Sequence, residues 1–156
     1  MKASAGDKAF VAKAAMGGTA EVQASQAAQQ KGSSDAVKQF AAKMIDDHTK
    51  ANDELKQIAG SKGMNAPAAL DAKHQAAMSK MQAMSGDAFD RAYMKQMIAD
   101  HKETIALFQK ESKSGSDADL KAFATKTMPT LQEHLKMAQD SNDSMVKAGK
   151  TDKSAM

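Results

Sequence analysis

Glu21, His48, His101 and His134 fall on the apolar stripes of four different predicted long helices. One ligand-type side chain from each of four helices is how helical bundles build internal metal sites. A polar group buried without a partner is costly, so such a pattern is rarely placed in a core by accident. Imidazole with carboxylate suits copper, zinc, iron or nickel. Three histidines and a glutamate complete a four-coordinate site, or leave one position open if Glu21 stays outside the ligand set. The plainer alternative is that each histidine is a core residue bonded to a nearby hydroxyl, carboxylate or carbonyl.

A second candidate rests on methionine. The chain has 13 methionines, and each histidine has one about a helical turn away: Met44, Met78, Met97 and Met137. Thioether plus imidazole is a soft donor set that suits Cu(I). His74, Met78 and Met81 share one side of a short helix and form a candidate exposed Cu(I) clamp. Met44 and Met97 are the corresponding candidates beside the core histidines. The alternative here is that methionine fills the core in place of leucine.

The elements that must carry these residues are delimited by turn chemistry. Lys31-Gly32-Ser33-Ser34-Asp35 reads as a stop and a new N-cap, and Gly63-Met64-Asn65-Ala66-Pro67 ends a helix with Pro67 suited to the first turn of the next. Ser85-Gly86-Asp87 and Ser114-Gly115-Ser116 are the remaining breaks, with Asp87 and Ser116 as caps. Helices are predicted near 7–31, 34–62, 67–84, 87–113 and 116–147. Residues 1–6 and 149–156 are expected to be disordered, leaving one bundle domain over 7–148. Pro129 is expected to kink or break the last helix.

No segment alternates as a strand does. The expected fold is all-α: a ferritin-like four-helix bundle with a short crossover helix between the second and third long helices. His48 lies 14 residues after Ser34 and His101 lies 14 after Asp87. If the crossover returns the chain along the bundle, those two helices run parallel and their histidines share one level.

Composition excludes several function classes. The chain of 156 residues has a net charge of +3, no cysteine, no tryptophan, one tyrosine and five phenylalanines. There is no thiolate site, no basic run for nucleic acid and no apolar stretch near the roughly 20 residues of a membrane span. Nucleophile elbows and phosphate loops are missing. The residues three before the core histidines are Ile45, Ile98 and Leu131, so the Glu-x-x-His pairs of di-iron bundles are absent. Asp46/Asp47 and Asp87/Asp90 read as surface charge and helix-start chemistry. Met1 to Gly6 has no apolar signal core.

The pattern Phe40-Ala41-x2-Met44-Ile45-x-Asp47-His48, then Pro67, Phe89-Asp90-x2-Tyr93, His101, and Pro129 with His134-Leu135 resembles a bacterial family of ferritin-like helical proteins. Its members are often described as domains of unknown function or predicted outer-membrane proteins. The resemblance covers about residues 7–145 and implies a four-helix bundle, a crossover helix and export to the periplasm, with the signal peptide removed from this chain. The functional expectation is a metal-binding bundle that sequesters or carries copper, with zinc as the alternative metal. The partner is then the metal ion, with envelope proteins as further partners, and the protein a monomer or homodimer. The rival readings are a metal-free envelope bundle and a metalloenzyme with an open histidine site.

Overall fold

Helix-forming residues punctuated by Gly-Ser turns produce five helices and, among the described residues, no strand: α1 (Ala5–Lys31), α2 (Asp35–Ser61), α3 (Ala72–Gln82), α4 (Gly86–Ser114) and α5 (Ala118–Ser154). The structure, a computed structural model, describes residues 3–67 and 69–154, with the backbone alone for 149–154. The four long helices form the bundle. α1 and α5 each pack on both α2 and α4, while α3 crosses outside against α1 and α4. α2 and α4 start at the same end and run parallel, as the lengths predict. Ser34, at the start of α2, meets Asp90; Phe40 meets Tyr93 at 6.0 Å between ring centroids, and His48 meets His101 at 5.6 Å.

Two apolar clusters fill the interior. At the α2 N-terminal end, Phe40, Phe89, Tyr93, Met44, Met94 and Met97 pack together. At the other end lie Phe10, Leu55, Phe108, Leu120, Phe123 and Leu131. Methionine does much of the work of leucine in the first cluster, where its flexible chain fills irregular space.

The ends are locked by a pair of matching contacts. Asp90 on α4 accepts from the backbone N–H groups of Ser33 and Ser34 in the α1–α2 turn (3.1 and 3.0 Å). Asp7 on α1 accepts from those of Ser116 and Asp117 in the α4–α5 turn (both 3.1 Å). Each hairpin thus caps the turn of the other. Both turns need glycine for close approach. A Cβ on Gly32 or on Gly115 would lie 2.6 Å from the carbonyl oxygen of Ala28 or Glu111.

Element boundaries depart from the sequence expectation in informative ways. α1 begins at Ala5, inside the stretch assigned to a disordered N-terminus, because Ser4 and Asp7 form a reciprocal capping box. α3 is shorter than expected: Asp71 accepts from the N–H of His74 and starts it, so Pro67 lies in the preceding linker. Ser85, not Asp87, occupies the N-cap of α4. Asp117, not Ser116, caps α5 by accepting from Leu120. α5 runs through the exposed Pro129 without a break and on to Ser154, past the expected end near 147. Asp87/Asp90 are not merely surface charge, since Asp90 is buried at the first lock.

Glu111 packs beside Asp7 at the second lock. Burial first, then the hydrogen bond and charge of Asp7, push its carboxyl up to about 8. A carboxyl that stays protonated when folded but ionises near 4.5 when unfolded adds stability below about 4.5, and that contribution is lost as pH rises through about 8. Urea unfolding of the wild type is therefore expected to weaken from pH 5 to pH 9, and Glu111→Gln to flatten that decline. Parallel profiles would mean that Glu111 ionises normally.

Candidate metal centre

Between the two apolar clusters lies a polar layer. α2 supplies His48, α4 His101, α5 His134 and α1 Glu21, with relative exposures of 6%, 0%, 1% and 3%. The three imidazole centroids form a nearly equilateral triangle with sides of 5.2, 5.5 and 5.6 Å. One ring nitrogen from each histidine lies within 4.8 Å of the others, the one such group of three or more His, Asp or Glu ligands among the described residues.

Two rings are fixed by their second nitrogen. His101 Nδ1 donates to the Met97 carbonyl at 2.7 Å. His134 Nε2 donates to Asp47 Oδ2 at 2.7 Å, and Lys43 pairs with Asp47 at 3.4 Å. These bonds assign the tautomers and leave His101 Nε2 and His134 Nδ1 with free lone pairs. Both atoms are buried without a partner, as are His48 Nε2 and Glu21 Oε2. Glu21 flanks the ring set: its oxygens are 3.9 Å from His48 Nε2 and 3.7 Å from His101 Nδ1, too far for hydrogen bonds.

Burial keeps the imidazoles in their neutral form. Burial, then the charges of His101 and His134, lower His48 to about 3. Burial lowers His101 to about 4 despite the Met97 carbonyl, and lowers His134 despite Asp47. All three are neutral at pH 7, the form that ligates metals. Burial, with Asp100 nearby, holds the Glu21 carboxyl well above its ordinary range.

The geometry fits a small ion after modest closure. Three atoms within 4.8 Å of one another have a point within about 2.8 Å of all of them; formed imidazole bonds to zinc are 2.0–2.1 Å. The adjacent void of about 30 Å³ touches Glu21, His48 and His101 and is large enough to admit water.

Other sequence candidates have different places. Met44 and Met97 are fully buried in an apolar cluster; Met97 supports His101 through its backbone carbonyl. The Cu(I) clamp candidates expected to be exposed on α3 are not exposed at their sulfur-bearing residues. Met78 and Met81 turn inward, 9% and 5% exposed, because this helix must bury its own apolar stripe. His74 instead bonds Asp71 at 2.6 Å. Asp47, read from sequence as surface charge, orients His134. One step from His48, it lies off the apolar stripe, and helical periodicity gave no signal for it.

The family model described as a domain of unknown function, DUF4142, matches residues 1–140. The chain belongs to the DUF4142 family. No curated protein matches this DUF4142 chain. Its fold is similar to the crystal structure of a DUF305 fragment from Deinococcus radiodurans, with a TM-score of 0.81 and 10% identity, over 92% of this chain and 99% of the fragment. At that identity the likeness concerns the fold alone. The comparisons support an all-helical domain of unknown function, and neither names a ferritin-like family.

An unpartnered buried nitrogen weakens the metal-free fold. His48→Leu keeps an apolar shape at this position, so without metal it is expected to stabilise the protein by about 1–2 kcal/mol. Denaturation in excess chelator tests this. A clear loss of stability would show that His48 has a structural partner.

Proposed function

We propose that this bundle binds one transition-metal ion, copper ahead of zinc, through His48, His101 and His134, and that it sequesters or carries that ion. The observation that carries this reading is a group of three buried histidines that bring one ring nitrogen each within 4.8 Å of the others, and each of which has a buried ring nitrogen without a hydrogen-bond partner. Such groups cost stability in a metal-free core, and a bound ion would satisfy all of them together. Copper is preferred because N/O sites generally bind Cu(II) more tightly than other first-row dications; zinc suits the same donors. With thioethers absent from the proposed ligand set, imidazole supplies the affinity. Carriage is favoured over turnover because the three histidines and Glu21 are all buried, none more than 6% exposed.

The ferritin-like designation and a periplasmic location belong to this proposal as well. They come from the sequence resemblance, and envelope proteins are then the natural class of exchange partners.

Chelator-stripped, tag-free protein titrated calorimetrically with Cu(II) and with Zn(II) is expected to bind one ion per chain. Copper should displace zinc. At a hundredfold excess over Kd, the ion should stabilise the fold by about 2.7 kcal/mol. His101→Leu should remove both binding and stabilisation. Binding that survives His101→Leu would place the metal elsewhere. No binding in wild type would favour a metal-free partner-binding bundle.

A further inference from the structure

An enclosed centre needs a route for its ion. On the face shared by α1, α3 and α4 lies a cavity of about 380 Å³. Its wall includes Gly17, Glu21 and Thr104, and the same three residues line the small void beside the histidines. Glu21 therefore borders both spaces. It is 3% exposed, and its Oε2 is without a partner.

The outer part of the cavity carries ligand-type side chains. Asp71, His74 and Asp100 line it, with Lys73 beside them. His74 uses Nδ1 on Asp71, which leaves Nε2 for another partner. Asp100 is half-buried, and Gln96 donates to its Oδ1 at 2.8 Å. It lines the same cavity as His74 and Glu21. By burial the donors run from half-buried His74 and Asp100 to buried Glu21 and the buried histidine triad.

We propose that this cavity is a loading vestibule, in which His74 and Asp100 take up the transition-metal cation and Glu21 passes it to His48, His101 and His134. This rests on the metal-centre reading above. A bare dication crossing an apolar wall would lose its hydration without compensation. Glu21, which lines both spaces, can give up its proton and hold the ion while ligands are exchanged one at a time. Lys73 at the rim opposes tight capture, so the outer donors transfer the ion instead of storing it. α3 forms a short outer cover. Gly17 keeps the passage open: a Cβ there meets no atom within 4 Å, so a larger side chain has room to enter it.

The test separates rate from affinity. Chelator-stripped wild type, Gly17→Leu and the His74→Ala/Asp100→Asn double variant are mixed with Cu(II) in stopped flow. Equilibrium affinity is then measured by chelator competition, and folding checked by circular dichroism. Gly17→Leu obstructs the passage without removing a ligand, and an exchange away from mid-helix glycine favours the helix. Each variant is expected to load about tenfold or more slowly, Gly17→Leu by obstruction and the double variant by lost electrostatic guidance, with stoichiometry and Kd unchanged. Wild-type loading rates in both variants overturn the vestibule while leaving the centre intact. Kd weakened in step with the rate also overturns it, by making these residues equilibrium ligands or supports. Wild type that takes up no copper defeats the centre and the vestibule together.

Discussion

Three imidazoles share the middle of the bundle, and each leaves a nitrogen with no hydrogen bond. Buried polar atoms without partners cost about 1–3 kcal/mol each, so the apolar clusters on either side must support the layer. Aromatic and methionine packing on one side and the Phe10–Phe108–Phe123 group on the other provide that support. Unpaired in this way, the layer does not stabilise the fold. Under the proposed function it is a ligand set that the rest of the fold holds in place.

Holding it requires the helices to keep their axial level. Consecutive residues rise about 1.5 Å along a helix, so a slip of one turn would move a ligand by about 5.4 Å and take it out of the triangle. The reciprocal aspartate locks resist such a slip, because each ties the start of one hairpin to the turn of the other. Fine orientation comes from the Met97 carbonyl and the Asp47 carboxylate, which choose the tautomer and leave the other ring nitrogen free. Outer partners of this kind usually tune metal affinity as well as geometry.

The parts legible in sequence were those governed by helical periodicity. His48 and His101 could be levelled because each lies a fixed distance beyond a readable turn, and the rise per residue is uniform. Glu21 and His134 followed from the same stripes. Less legible were side chains whose partners are remote in the chain: Asp47 finds His134 87 positions away, and Asp7 finds Asp117 110 away. Nothing local distinguishes Asp47 from a solvated aspartate, and the Ser4–Asp7 capping box accounts only for the local half of what Asp7 does. Methionine was ambiguous for another reason, since one spacing serves both a soft metal clamp and an apolar stripe; burial of Met78 and Met81 favours the stripe. Pro67 misled because proline suits a first helical turn, yet the capping bond that starts α3 belongs to Asp71.

The central claim is that His48, His101 and His134 ligate one ion together. X-ray absorption spectroscopy on stoichiometrically loaded protein reads that coordination shell directly. With zinc loaded, the account predicts three imidazole nitrogens at about 2.0–2.1 Å, joined by a light oxygen donor. A shell of water oxygens alone, or one dominated by sulfur, would contradict it.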